Sequence, residues 1–324
     1  MFRGRSRHSE HDATLWIQGL GYRVSDAFTL RDISLAVESG QALAVVGTNG
    51  AGKTTLIRLV AGLLAPSEGQ IRICGESPRN WGRVSQHLGY VQQSKELPDG
   101  VSVRTYLQHQ LRLRRAALKR YTELVHRAGL VQFEDQEVRT LSGGNQRKLH
   151  IICAVAHQPD LLVLDEPTAG LDPTAQETVL GLLGELKKEG VAIVFASHHK
   201  SELEALADSV TVLHQGRQIL GTSLTHLLAG DAPASLILEA NTHEEIGALQ
   251  RWAANLPSLK TSVRRVCATD DGVLVELINP HDRYALTDLV SAASLDGLTL
   301  RLAKLSTPSL ADVIAQLVQR DGSE

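Results

Sequence analysis

The chain has 324 residues, 43% hydrophobic and only 4% aromatic, so any core rests on Leu, Val, Ile and Ala. That length suits one large and one small domain, or two medium ones. A formal net charge of -3 gives no global basic field, which removes the electrostatic support for generic nucleic-acid binding. The three cysteines (Cys74, Cys153, Cys267) lie far apart and form no C-x-x-C pair, which argues against a disulfide framework or zinc site and fits a reducing compartment.

Residues 1–13 read as a disordered leader, basic and polar without the apolar stretch of a secretory signal. No run approaches the roughly 20 apolar residues that a spanning helix needs. Short strands are predicted over 14–18 and 33–37, then a turn at Ser39-Gly40-Gln41 and a buried strand, ALAVVG, at 42–47. A Gly-rich loop and a helix follow, then strands at 71–75 and 88–93. From 103 to 157 the pattern is mostly helical, a helical subdomain of about 95–157 inserted in an α/β domain. LLVLD at 161–165 and VAIVFAS at 191–197 are buried strands flanking a helix at 174–189. A helix at 202–208 and a hairpin at 209–221 complete a domain spanning 14–230. Strands alternating with helices predict a mainly parallel, helix-covered sheet.

A boundary is expected near 230–233, followed by an accessory domain over 234–324 with a different texture. Its strands and helices read β-α-β-β-α-β up to Leu305, the order of the ferredoxin-like arrangement, with a last helix at 309–320. The fold class expected is therefore α/β with a helical subdomain, plus a small α+β domain.

GTNGAGKTT at 47–55 fits the P-loop pattern G-x-x-x-x-G-K-T between a buried strand and a helix. Gly47, Thr48, Asn49, Gly50, Ala51 and Gly52 form the loop whose backbone N–H groups wrap phosphate, with the helix N-terminus aimed at the same anion. Lys53 supplies a positive charge to the β- and γ-phosphates, the Thr54 hydroxyl ligates Mg²⁺, and Thr55 donates to the α-phosphate. Asp165 follows four apolar residues at the carboxyl end of a strand, where ligands of open α/β sheets bind, and is expected in the Mg²⁺ shell. Glu166 beside it is placed to polarise the attacking water.

LSGGNQ at 141–146, between those motifs, resembles the signature of ATP-binding cassette (ABC) ATPases. The whole segment 14–221 is similar to an ABC transporter nucleotide-binding domain of the P-loop NTPase class. The resemblance implies further roles. Gln93 matches the glutamine that senses the γ-phosphate and the transmembrane partner, and is expected in the metal shell, with Gln92 where the family usually has Pro. Asp172 matches the D-loop, within Ala169-Gly170-Leu171-Asp172. His198 matches the switch histidine, and His199 beside it replaces the usual acidic residue. Tyr22 matches the adenine-stacking aromatic.

Ser142, Gly143 and Gly144 open a helix and so offer a second phosphate cradle. In the resembled family this surface closes on the P-loop of another subunit. A homodimer or a homologous ATPase partner is therefore implied.

The resemblance also implies ATP and Mg²⁺ as ligands and a transmembrane permease as partner, with the chain cytoplasmic and peripheral on the inner face of the cell membrane. SLADVIAQL at 309–317 partly resembles the terminal helix of ABC ATPases that serve export permeases, with Ala311 and Ile314 in place of Glu and Phe. The alternative is a soluble ABC ATPase acting on ribosomes or DNA. Against it, the chain has one cassette, and Lys53 and Asp165 are 112 residues apart, too close for a long coiled-coil insert.

Overall fold

The structure is a computed structural model that describes residues 13–25, 28–93, 97–197, 199–224, 235–256, 263–277 and 285–306. The chain divides into two compact units, Met1–Thr225 and His226–Glu324.

The first unit opens with β1 (Leu15–Ser25), β2 (Phe28–Val37), β3 (Ala42–Gly47), α1 (Lys53–Val60), β4 (Glu68–Ile73), α2 (Trp81–Val84) and β5 (Leu88–Val91). The helical insert holds α3 (Val103–Leu113), α4 (Arg120–Arg127) and α5 (Gly143–Ala154). Then come β6 (Leu161–Asp165), α6 (Pro173–Lys188), β7 (Ala192–Ala196), α7 (Lys200–Leu206), β8 (Ser209–His214) and β9 (Arg217–Ser223). Nine strands form one sheet in the order β4-β1-β2-β9-β8-β3-β7-β6-β5.

β8, β3, β7, β6 and β5 run parallel to one another. Every residue of β3, β6 and β7 is buried, which is why these strands are continuous apolar runs rather than alternating ones. α1 packs on β3, β6 and β7, burying Leu56, Ile57, Leu59 and Val60.

The other end of the sheet departs from the sequence expectation. The predicted strands at 14–18 and 33–37 are the ends of two long strands, and β1 pairs antiparallel with both β2 and β4. Register shifts near Gly19 and Gly21 absorb the residues just past the predicted end at 18. β9 pairs antiparallel with β8 and meets β2 at the single parallel pair Arg31–Arg217.

The helix predicted at 202–208 begins earlier, at Lys200, and ends at Leu206. Caps set several helix starts. Ser102 accepts from the Thr105 N–H, and Asp172 accepts from the Ala175 N–H at 2.9 Å, followed by Pro173 in the first turn.

The second unit holds β10 (Ser235–Glu239), α8 (His243–Ala254), β11 (Val263–Ala268), β12 (Gly272–Leu277), α9 (Ala285–Leu295) and β13 (Leu302–Ser306). Its sheet is antiparallel in the order β11-β12-β10-β13, which sets the first and last strands side by side as in ferredoxin-like topologies. Leu236, Leu238, Leu249, Ala253, Val273 and Val275 form its core. A reciprocal capping box between Thr242 and Glu245 starts α8. The predicted boundary at 230–233 and the last helix at 309–320 lie outside the described residues. Among the described residues, no helix is long and apolar enough to cross a membrane.

Candidate functional site

Four adjacent parallel strands, β3, β7, β6 and β5, end at one edge of the sheet. Topology alone therefore brings together the loop 47–52 after β3, Glu166 after β6, Gln93 after β5 and Ser197 after β7. This edge is where open α/β sheets bind ligands.

The loop after β3 depends on two glycines. Gly47 has φ 156°, and a Cβ there would lie 2.3 Å from the Leu213 carbonyl oxygen. Gly52 has φ 105°, and a Cβ would lie 2.4 Å from Cδ2 of Leu30. At Gly47 a side chain would drive into the backbone of β8; at Gly52 the left-handed φ strains any other residue and the Leu30 side chain would have to shift.

Thr48, Asn49 and Gly50 are exposed at the loop crest, and Ala51 is buried beneath. Lys53 begins α1 and is only 9% exposed. Its ammonium donates to the carbonyls of Gly47 at 2.9 Å and Thr48 at 3.1 Å. Burial lowers the lysine's pKa, opposed by the nearby carboxylates of Glu166 and Asp165.

The Thr54 hydroxyl donates to Oδ1 of Asp165 at 3.4 Å. Asp165 is 3% exposed; burial raises its pKa, the Thr54 hydrogen bond opposes that, and the Glu166 charge adds to it. Two hard oxygens thus converge beside the P-loop, a donor set that suits a magnesium ion. Thr55 is half-buried on α1.

Glu166 holds φ 47°, a left-handed conformation that is costly for a side-chain-bearing residue. Its N–H donates to the Ala196 carbonyl at 3.1 Å, tying it to β7. Its Oε2 accepts from Nε2 of Gln93 at 2.7 Å, so the two predicted catalytic side chains touch. His198 lies outside the described residues. His199 is half-buried at the start of α7, its N–H bonded to Oγ of Ser197 at 3.0 Å. Tyr22 sits on β1, half-buried against the main core and paired with Leu30.

Ser142 caps α5, accepting from the Asn145 N–H at 3.4 Å, and is exposed together with Gly143. Gly144 is buried, and a Cβ there would lie 2.7 Å from Cβ of Ala175 on α6. Asp172 spends its carboxylate on capping α6. Among the described residues, no hydrogen bond joins 142–144 to the loop 47–55 of the same chain.

Sequence reasoning missed Arg147. It is 7% exposed and donates to five main-chain carbonyls. Nε reaches Pro167 at 2.7 Å, Nη2 reaches Asp165 at 2.9 Å and Glu166 at 2.8 Å, and Nη1 reaches Gln92 at 2.7 Å and Gln93 at 3.4 Å. Burial pushes its pKa down to about 10, opposed first by Glu202 and then by Asp165. The available signal was spacing: Gly144, Arg147 and Ile151 fall on one helical stripe, and all three are buried.

Comparisons with known proteins identify the family. The ABC transporter family matches residues 30–169. Nod factor export ATP-binding protein I of Ralstonia nicotianae is 35% identical over 254 residues, 76% of this chain and 75% of its own length. Linearmycin resistance ATP-binding protein LnrL of Bacillus subtilis is 26% identical over 90% of this chain and 94% of its own. The solved structure of cbiO1 from Clostridium perfringens, part of the ABC transporter complex cbiONQ, aligns with a TM-score of 0.60 at 27% identity. That alignment spans 76% of this chain and 97% of the solved one. With a relative 35% identical over 76% of its length and a match to the family model, this chain is a member of the ABC transporter ATP-binding proteins, the ATP-hydrolysing subunits of those transporters.

Proposed function

We propose that this chain is the motor subunit of an exporter, peripheral on the inner membrane face and docked on a separate transmembrane permease. In this reading the backbone of 47–52, Lys53 and Thr55 hold the phosphates. Thr54, Asp165 and Gln93 hold Mg²⁺, which neutralises charge on the phosphates when bound. Glu166 orients and deprotonates the attacking water. His198 holds the γ-phosphate, and Tyr22 stacks on adenine. Asp172 of the D-loop, its carboxylate capping α6, belongs to the ATP site.

The observation that carries the reading is a division of labour. Lys53, Asp165, Glu166 and Gln93 meet at one sheet edge, while Ser142 and Gly143 lie exposed at a separate helix start. An exposed second anion cradle that no described hydrogen bond ties to the chain's own P-loop suits another subunit's nucleotide, hence a head-to-tail pair of homologous ATPases. Closure on ATP and release after hydrolysis then form a ligand-driven two-state device. The export direction is supported by the names of relatives: one serves Nod factor export and another linearmycin resistance.

The test is capture of the tagged full chain from detergent-solubilised native membranes, with mass spectrometry of what accompanies it. A multi-span permease at equal abundance is expected, and its sequence tests the export assignment. Recovery of ribosomal or DNA-bound proteins alone would overturn the transporter role and leave the ATPase standing.

A further inference from the structure

The turn that carries Glu166 is held from behind by a side chain of the signature helix. Three successive carbonyls, those of Asp165, Glu166 and Pro167, all accept from Arg147, and the carbonyls of Gln92 and Gln93 accept from the same guanidinium. Glu166 sits at φ 47°. Such a residue persists only where its surroundings over-determine it. The Arg147 fork and the bond from the Glu166 N–H to Ala196 supply that determination from two sides.

Arg147 lies on α5, five residues beyond Ser142 in sequence, and α5 is a rigid rod over that span. A displacement of Ser142 and Gly143 therefore displaces the guanidinium too. The same charge is balanced from below. Glu202, 1% exposed on α7, accepts from the Thr168 hydroxyl, and its Oε2 has no hydrogen-bond partner among the described residues. It is the foremost charge acting on Arg147. The signature helix, the hydrolytic turn and the Gln93 loop thus meet at one buried cation, whose charge Glu202 on α7 balances.

We propose that Arg147 is a positioning residue that sets the Glu166 carboxylate according to the seating of its own signature helix. The partner subunit's nucleotide, engaged by Ser142 and Gly143, thereby tunes the hydrolytic turn of this chain. The inference rests on the reading of Glu166 as the base and of 142–144 as the cradle for a second subunit's nucleotide.

The fork geometry makes the role specific to arginine. A planar guanidinium with five N–H donors matches five carbonyls; an ammonium at the same charge matches three at most.

The experiment compares full-length parent, Arg147→Lys, Arg147→Ala, Glu166→Gln and the Arg147→Lys/Glu166→Gln double variant. It measures ATP affinity, steady-state and single-turnover hydrolysis, and thermal melting. Arg147→Lys keeps the charge facing Glu202 and is the variant expected to fold. Its turnover is expected to fall about 10²-fold, the scale of an ångström-sized misplacement, with ATP affinity within about threefold of the parent. In the Glu166→Gln background the same change is expected to add less than about twofold, since a residue acting through Glu166 has nothing left to position. Parent-like turnover in Arg147→Lys would overturn the proposal, and so would a loss of affinity matching the loss of turnover. A full additional loss in the double variant would also overturn it. Parent-like hydrolysis by Glu166→Gln alone would instead remove the base assignment on which the proposal rests.

Discussion

In Gly144→Ala the new methyl carbon lands 2.7 Å from Cβ of Ala175 and 3.7 Å from its Cα. Carbon atoms settle at about 3.5–4.0 Å, so α5 and α6 must part by roughly 1 Å. No rotamer relieves the clash, because the methyl of Ala175 is fixed to its own backbone. Overpacking of this kind costs about 1–3 kcal/mol. Against it, alanine's advantage over glycine reaches about 0.8–1.0 kcal/mol in a helix interior and is smaller at Gly144, the second residue of α5. The expected net result is a loss of about 1 kcal/mol, which lowers Tm by about 2–4 °C for a unit of this size.

Turnover is expected to fall further than stability, by about tenfold or more, because α5 carries both Ser142 and Arg147. Calorimetry and steady-state ATP hydrolysis check both effects. The double variant Gly144→Ala/Ala175→Gly is the decisive arm. It removes the opposing methyl and should recover turnover, while melting stays below the parent because α6 now carries the helix-propensity penalty. A Gly144→Ala protein that melts at or above the parent and turns over normally would refute the packing argument. Failure of the double variant to recover turnover would do the same.

Glu166→Gln is expected to keep ATP binding, lose about 10²–10⁴-fold in turnover, and accumulate ATP-bound dimers on size exclusion. Asp165→Asn should abolish hydrolysis yet melt higher than the parent at neutral pH. The aspartate's folded pKa is raised, so its ionised form is a penalty above that pKa; the melting advantage should shrink as pH falls towards the ordinary value of 3.8. His157 behaves in the opposite sense. Burial first, then the Arg114 charge, holds its pKa down at about 4, so stability is lost as pH falls from 6.5 towards 4; His157→Gln should flatten that part of the Tm–pH curve.

The chemistry of this chain was far more legible in its sequence than its architecture. The P-loop, Asp165 and Glu166 are local patterns, each a buried strand followed by a fixed run of residues, and the parallel strands gather them whatever the rest of the chain does. The antiparallel lobe was not visible. The strand predicted over 14–18 stops short of Gly19 and Gly21, whereas β1 continues through them because β2 and β4 pair on both sides. Gly69 shows the same non-local logic: a Cβ there would lie 2.2 Å from the Gly19 carbonyl oxygen, a contact fixed by strand pairing. Arg147 was hidden for a related reason. In the run Gln146-Arg147-Lys148 it reads as one more solvated helix residue, and its five acceptors come from segments far away in sequence.

The meeting of β9 with β2 has a thermodynamic consequence. One register pair, the bond from the Arg31 N–H to Gly216 at 2.8 Å and a side-chain bridge from Gln218 to the Ser34 N–H at 2.8 Å span that seam. A drawing shows nine continuous strands; energetically the ladder is two sheets laid edge to edge. Amide exchange should divide there, with the block of β1, β2 and β4 opening at lower free energy than the parallel block. Leu30, wedged under Gly52, crosses the same line by packing alone. Gly216 crosses it through the backbone, its carbonyl accepting from the Arg31 N–H and its N–H donating to the Ala51 carbonyl at 3.2 Å, so fluctuations of the lobe are felt at the phosphate loop by one main-chain relay and one side chain.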